Sequence, residues 1–410
     1  MEGLLSFLFH IAMHQVTISG TGLWVAPQVI SNAELVTSYN AYAEQFNQQN
    51  AARIEAGEVA AMPPSSEEFI LKASGIRQRY VIDKAGVLDP NRMRPKLTPR
   101  PDEQISLMAE IAVEAAQQAL QNAGVQGSEI EMVICAASNM QRQYPAMAVE
   151  IQHALGAQGY GFDMNVACSS ATFGLEQAIN AIKTGQVKKA LVVNPEITSA
   201  HHCWTDRDCH FIFGDVCTAV VLERSEDATS ANRWEVLGTR AATQFSNNIR
   251  NNAGFMSRSE DRNPEDRDQV FRQEGRKVFK EVCPMAAEHI SAQLETLGLD
   301  AAGVRRFWLH QANLSMNQLI GKRLLGHEPG FDEAPVILDE FANTASAGSI
   351  IAFHRHSEDL QAGDLGVICS FGAGYSIGSV VVRKACARIA PVLHAAAVLA
   401  DAVCTAAHLQ

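Results

Sequence analysis

A cysteine stands at position 168 in the run Asp163-Met164-Asn165-Val166-Ala167-Cys168-Ser169-Ser170-Ala171. Up to Ala167 the run reads as a short strand. From Ser169 to about Thr184 it reads as a helix, with Ala171, Leu175, Ala178, Ile179 and Ile182 recurring on one face and Gly185 as the stop. The spacing predicts Cys168 at a sharp strand-to-helix turn, at the N-terminus of the helix. Unsatisfied N–H groups and the positive dipole end there favour a thiolate over a thiol. The small residues that follow let a substrate approach the sulfur. The chemistry on offer is nucleophilic attack on an acyl group, and the alternative reading is a buried structural cysteine.

Other polar groups gather in the second half. His310-Gln311-Ala312-Asn313 follows the apolar strand Phe307-Trp308-Leu309, and Phe341-Ala342-Asn343-Thr344-Ala345-Ser346-Ala347-Gly348 sets an Asn among small residues ahead of a helix. Leu365–Ser370 reads as a strand running into Phe371-Gly372-Ala373-Gly374-Tyr375-Ser376-Ile377-Gly378, with Ser379–Arg383 as the returning strand. A lone His after a strand, or an Asn in a turn, is more often structural. Their combination with a cysteine at a helix start makes them candidates. His201-His202-Cys203 and Cys209-His210 look like a metal cluster, but the spacing fits no common zinc pattern, and no metal is expected.

The elements that must position these groups come from a chain of 410 residues, 47% hydrophobic, long enough for two domains or one duplicated unit. A net charge of −12 argues against a general nucleic-acid binder. Nine scattered cysteines, an odd count without framework spacing, indicate a reducing cytoplasm. Met1–Ala12 is apolar but too short to span a bilayer and has no basic leader, so it reads as an extension before Met13. Gln15–Gly20 reads as a strand, Ser31 as the cap of a helix starting near Glu34, and Gln104–Ala123 as a long amphipathic helix. Glu44–Glu67 looks like an inserted helix and loop, and the Pro- and Arg-rich Asp89–Pro101 like an inserted loop. The charged run Glu260–Asp268 is read as an exposed loop. Leu120–Val125, leading through Ile130 and Met132–Ala136 to Asn139, is echoed by Leu294–Leu299, leading through Val304 and Phe307–His310 to Asn313. The two copies lie about 174 positions apart, which argues for an internal duplication.

Seven motifs, in order along Gln15–Arg383, carry a resemblance: Ser74-Gly75-Ile76-Arg77, Ala167-Cys168-Ser169, Thr205-Asp206-Arg207, Phe213-Gly214-Asp215, His310-Gln311-Ala312-Asn313-Leu314, Asn343-Thr344 and Phe371-Gly372-Ala373-Gly374. In them the chain resembles the β-ketoacyl-acyl-carrier-protein synthase III family, within the thiolase-fold superfamily. The resemblance implies an α/β fold of duplicated βαβαβαββ halves in five layers, αβαβα. It divides the chain into an N-terminal half over 13–225, a C-terminal half over 226–383 and an appended tail over 384–410. It places the nucleophile, His and Asn of the family on Cys168, His310 and Asn343. The glycine loop falls on Gly372, Ala373 and Gly374, with the Ala373 N–H as an oxyanion donor. Arg207 would contact CoA. An Arg and a Trp that commonly help it are replaced here by Ala73 and Phe69, and Tyr144 stands where a partner subunit's Phe closes the pocket. Lys322-Arg323 offers a basic landing patch for an acidic carrier protein, or a plain solvated face. The two insertions resemble a longer subgroup that takes a medium-chain acyl-CoA primer and makes β-ketodecanoyl carrier protein.

That chemistry suits these residue types. The Cys168 thiolate attacks an acyl-CoA thioester, and backbone N–H groups hold the oxyanion. Malonyl carrier protein then loses CO₂, and two neutral donors, His310 and Asn343, receive the enolate oxygen. Loss of CO₂ makes the carbanion directly, so no side-chain base is required. A thiolase needs a second cysteine as base in its glycine loop, where Ser370 stands instead. Cys369, one residue away on a strand, faces the opposite side and is read as core. The expected protein is a cytoplasmic homodimer with acyl-CoA and malonyl carrier protein as partners. It needs no cofactor, nucleic acid or membrane insertion. An acetyl-CoA- or short-acyl-CoA-primed synthase, and an acyltransferase or thioesterase that uses Cys168 without condensation, are the alternatives.

Overall fold

The structure, a computed structural model, describes residues 13–386. The extension Met1–Ala12 and the tail from 387 onward lie outside the described residues. The first strand, β1 (Val16–Val25), runs past Gly20 because its glycines belong to the strand. A Cβ on Gly20 or Gly22 would meet the Ala119 or Ala115 carbonyl at 2.2 or 2.0 Å, so only glycine lets the long helix lie directly on this strand.

A small cap follows. Strands β2 (Gln28–Ser31) and β3 (Gln78–Val81) pair antiparallel around α1 (Asn32–Gln49), α2 (Ala51–Glu55) and α3 (Glu67–Ser74), with α4 (Lys84–Leu88) after them. Ser31 caps α1 in a reciprocal box with Glu34, so the helix begins at Asn32 and Glu34 is its third residue. The first insertion is clipped down by two asparagines of α1. Asn40 exchanges hydrogen bonds with both backbone groups of Ser65, and Asn47 does the same with Met62. The second insertion is loop, joined by Arg94 to Glu265 at 2.7 Å and by Arg100 to Glu110 at 2.5 Å.

The N-terminal half continues through α5 (Leu107–Ala123), β4 (Met132–Ala136), α6 (Met147–Leu155), β5 (Tyr160–Met164), α7 (Ser170–Lys183), β6 (Lys189–Glu196) and β7 (Val216–Arg224). Helix α5 starts at Leu107 rather than Gln104, because Gln104 closes a turn onto Pro101 and the Ser106 side chain caps the Ala109 N–H. The C-terminal half contains β8 (Trp234–Thr243), the short pair β9 (Ile249–Arg250) and β10 (Arg272–Gln273), and α8 (Gly275–Thr296). It continues with β11 (Val304–Leu309), α9 (Leu314–Leu325), α10 (Leu338–Phe341), α11 (Gly348–Arg355), β12 (Leu365–Gly372) and β13 (Ser376–Lys384).

The large sheet runs β11-β12-β13-β8-β1-β7-β6-β4-β5, its halves joined by a two-residue pairing of β1 with β8. Each half repeats one pattern: β4 and β11 are parallel to β6 and β12, which turn back antiparallel into β7 and β13. Among the described residues the C-terminal half has no counterpart to β5. There, residues 333–337 run beside β11, with the Phe307 N–H donating to Glu333 at 2.7 Å. Pro335 has no N–H to continue a ladder, so the Gln311 side chain bonds Pro335 and Ile337 instead. The repeat is close in detail. Gly124 and Gly298 end α5 and the α8 segment with φ of +71° and +69°, and a single 3₁₀ turn follows at 127–129 and at 301–303.

Helices α5 and α6 cover the outer face of the first half-sheet, and α8 and α9 that of the second. Helices α7 and α11 lie between, α7 touching β4, β6 and β7 on one side and β12 and β13 on the other. This gives five layers. The middle layer is sealed by Trp234, Trp308 and Phe353, whose ring centroids lie 4.8–5.6 Å apart in edge-to-face contact. Among the described residues no helix is long and apolar enough to cross a membrane.

Candidate active site

The strand β5 ends at Met164, short of the predicted Ala167, because the chain must turn sharply there. Asn165 holds the turn: its Oδ1 accepts from the Ala167 N–H at 2.8 Å and its Nδ2 donates to the Ser138 carbonyl at 2.9 Å. Ala167 adopts φ +48°, and a 3₁₀ turn over Ala167–Ser169 carries Cys168 into α7. Gly372, at the end of β12, faces the sulfur. A Cβ there would lie 2.5 Å from the Cys168 Cβ and 3.1 Å from its Sγ, so the position must be glycine. The backbone N–H groups of Cys168 and Ala373 both favour charge on the sulfur. They are the pair that would hold an oxyanion. Gly374 follows with φ +131°.

The helix-end argument predicts a lowered thiol pKa, and the site reverses it. Burial of the sulfur, helped by the negative charge of nearby Glu196, outweighs the backbone donors and pushes the thiol up to about 12. Cys168 rests as a thiol, not a thiolate.

His310 continues β11: its N–H donates to the Cys369 carbonyl at 2.8 Å, and its ring stands edge-on to Phe371 with centroids 5.1 Å apart. It is 2% exposed, its Nδ1 has no partner, and burial lowers its pKa to about 3. It is therefore a neutral imidazole at working pH. Asn343 is placed by the Phe213-Gly214-Asp215 motif. Its N–H donates to Ile212 and its carbonyl accepts from Gly214, where a Cβ would come within 2.5 Å of the Phe341 carbonyl. The Asn343 Oδ1 accepts from the Ala345 N–H at 2.9 Å, which leaves the amide NH₂ for the cavity.

Cys168, His310, Asn343 and Gly372 line one cavity of about 960 Å³. Phe69, Val278, Phe279, Val282 and Met316 make its apolar wall. A second cavity, about 590 Å³, lies in the 253–269 loop and holds none of the three candidate groups. The other predicted contacts scatter. The Arg207 guanidinium sits over the Phe69 ring, 3.8 Å from its centroid, and donates to the Pro64 carbonyl. Tyr144 is 84% exposed and stands outside the cavity of its own chain. Lys322 and Arg323 are exposed in the last turn of α9, also outside it.

Arg267, within a run read as plain exposed loop, lines the cavity and pairs with Asp206 at 2.5 Å; Arg276, in the first turn of α8, lines it too. Neither belongs to a motif: Arg267 comes in on the 249–273 segment and Arg276 on the start of α8, both beside the cavity only in the folded chain. Cys369 lies in the core behind β12, and Ser370 turns to Ser349 at 2.8 Å. Among the described residues no three His, Cys, Asp or Glu side chains gather as metal ligands.

Burial also lowers His201, His210 and His289 to about 4 and holds His202 well below its ordinary value, so with His310 five histidines are neutral in the folded protein. The unfolded chain protonates them near 6.5, so it binds more protons than the fold as pH falls, and stability is lost. The raised carboxyls of Asp163, Asp215 and Glu196 oppose this and are fewer. At pH 5 His310 alone accounts for about 2 kcal/mol. The melting temperature is expected to fall steadily from pH 7 to pH 5, with a shallower slope in His310→Asn. A flat profile in calorimetry would contradict the buried neutral imidazoles.

Two family models match the chain: 3-oxoacyl-[acyl-carrier-protein] synthase III over residues 162–243, and its C-terminal part over residues 294–384. The β-ketodecanoyl-[acyl-carrier-protein] synthase of Pseudomonas aeruginosa is 56% identical over 347 residues, 85% of this chain and 99% of that protein. A β-ketoacyl-[acyl-carrier-protein] synthase III of Bradyrhizobium diazoefficiens is 30% identical over 89% of this chain and 98% of its own. In fold the chain superposes on the crystal structure of 3-oxoacyl-[acyl-carrier-protein] synthase III from Aquifex aeolicus with a TM-score of 0.71, covering 90% of this chain and all of that one at 24% identity. Fold and cavity together define a thiolase-fold condensing enzyme, an acyltransferase. The chain belongs to the 3-oxoacyl-[acyl-carrier-protein] synthase III family.

Proposed function

We propose that the enzyme joins a medium-chain acyl-CoA primer to malonyl-acyl carrier protein with loss of CO₂, giving a β-ketoacyl carrier protein for fatty acid synthesis. The observation that carries this reading is the meeting of Cys168, His310 and Asn343 in one cavity, with two backbone N–H groups aimed at the sulfur. In the first step the Cys168 sulfur attacks the thioester carbonyl, the N–H groups of Cys168 and Ala373 hold the oxyanion, and its proton ends on the departing CoA sulfur. In the second, malonyl carrier protein loses CO₂, and the enolate oxygen lies between neutral His310 and the Asn343 amide. The carbanion attacks the acyl-cysteine carbonyl, and Cys168 leaves as a thiolate that takes a proton from water to return to the thiol. A His310 that titrates near 3 stays uncharged throughout, as a donor that need not part with its proton requires.

The primer length follows from chemistry and likeness. A β-ketodecanoyl product has ten carbons, two of them from malonate, so a relative of that name takes an eight-carbon primer. The insertion clipped to α1 and the one over Asp89–Pro101 resemble those of the medium-chain subgroup. Primer competition tests it. With equal acetyl-CoA and octanoyl-CoA, the acyl-enzyme is expected to carry the eight-carbon group in at least about tenfold excess, the least that added buried methylenes give. Predominant acetylation would return the enzyme to the short-primer class. Free octanoate without condensation product would favour a thioesterase.

The same reading makes the enzyme a cytoplasmic homodimer. Strand β5 is an open edge of the large sheet with half-exposed side chains, and a two-fold pairing along it would bring exposed Tyr144 toward the partner's pocket. Lys322 and Arg323 are the proposed landing point for the acidic carrier protein, beside the Met316 wall on the same helix. Arg207, stacked on Phe69, is the proposed CoA contact.

A further inference from the structure

Glu196 closes β6 and is 1% exposed, yet it forms no part of the cavity wall. Among the described residues no cation pairs with it. Its carboxylate instead accepts four hydrogen bonds from neutral donors: the Ser138 N–H at 2.9 Å and hydroxyl at 2.5 Å, the Ser346 N–H at 3.2 Å, and the Ser346 hydroxyl. A buried carboxylate held by neutral donors alone is costly, and burial raises this one's pKa to about 7; it lies where two turns meet.

Those turns are copies of each other. Ala345 has the φ of Ala167, +48°, and the Asn343 side chain accepts from the Ala345 N–H as the Asn165 side chain does from Ala167. Counting along the copies, Ser346 occupies in the second turn the place that Cys168 holds in the first. Ser346 therefore ties Glu196 to the Asn343 turn. On the other side, Ser138 bonds Glu196 through its N–H and hydroxyl while its carbonyl accepts from Asn165, which holds the Cys168 turn.

We infer that Glu196 is a positioning residue that sets the Cys168 turn and the Asn343 turn against each other, through Ser138 and Asn165 on one side and Ser346 on the other. The inference rests on the condensation reading above. Oε1 takes both backbone N–H groups and the Ser346 hydroxyl, while Oε2 takes the Ser138 hydroxyl; a glutamine fits only with its NH₂ on the Ser138 side, where that hydroxyl must turn its proton away and accept, and it removes the charge. Its charge also reaches the thiols that surround it, Cys168, Cys135 on β4 and Cys217 on β7, and raises all three. Removing the charge therefore moves Cys168 in a direction that loss of packing alone does not.

The test compares Glu196→Gln, Glu196→Asp and Ser346→Ala in the full-length enzyme. In Glu196→Gln, kcat for condensation is expected to fall by about 10- to 100-fold with KM for octanoyl-CoA changed by less than about twofold, since the cavity wall is untouched. Alkylation of the Cys168 peptide by iodoacetamide should shift to lower pH. Glu196→Asp, which keeps the charge, should regain part of kcat and keep the wild-type alkylation profile. Should Glu196→Gln fail to fold, Ser346→Ala decides. It is expected to slow decarboxylation by pre-acylated enzyme more than acylation of Cys168; equal slowing would overturn the role. Wild-type kcat in Glu196→Gln, or a loss with no movement of the alkylation profile, would also overturn it. A wild-type enzyme that acylates without condensing sinks the underlying reading instead.

Discussion

Cys168→Ala is expected to give no acyl-enzyme at all with octanoyl-CoA and to lower condensation by on the order of 10⁶, the loss seen when an acyl-transfer nucleophile is removed. The cavity should survive the change, because the substitution deletes one sulfur atom beside Gly372 and leaves the turn held by Asn165 in place. Decarboxylation of malonyl carrier protein, which uses His310 and Asn343, should persist. Intact-mass and peptide analysis of the wild type decides the assignment. The sequence holds nine cysteines, and burial raises the pKa values of Cys135, Cys209, Cys217, Cys283 and Cys369 as well. An acyl group found on any of them would sink Cys168.

His310→Ala and Asn343→Ala separate the two half-reactions. Each deletes one neutral donor to the enolate oxygen, and loss of one such donor costs about 10²–10³ in rate. Acylation of Cys168 relies on the backbone N–H groups of Cys168 and Ala373 and should survive better. Single-turnover mixing of pre-acylated variants with malonyl carrier protein measures the second step alone. Condensation at the wild-type rate there would remove both residues from the mechanism. Asn343→Asp is the sharper probe, because its carboxylate still accepts from Ala345 but offers no NH₂ to the cavity.

Much of this site was legible in the chain because its residues sit at places where local rules act strongly. The Gly185 stop and the apolar stripe of α7 placed the helix behind Cys168, and the repeat of Leu120–Asn139 in Leu294–Asn313 exposed the duplication. The motifs then put His310 and Asn343 with Cys168. What escaped notice depends on tertiary environment. The dipole argument for a Cys168 thiolate fails because burial, which no local pattern reports, outweighs two N–H groups. Arg267 and Arg276 carry no motif and reach the cavity only in the folded chain, one from the 249–273 segment and one from the start of α8. The strand missing from the second half traces to Pro335, visible in the sequence but meaningful only beside β11. Glu196 and Ser346 had a detectable signal: Asn165 and Asn343 recur at nearly the duplication's own spacing.

The unequal halves bear on how far these sheets can grow. A free sheet edge is a template for open-ended strand addition, the route to fibres. Here the two ends of the large sheet differ. The β11 end is shielded by residues 333–337, with Pro335 and a side-chain amide where further ladder bonds would form, while the β5 end is open. Two copies meeting along β5 would use up each other's open edge, and neither outer end would accept a third. In such a pair Pro335 would act as a chain terminator for polymerisation, because it offers no N–H to an added strand.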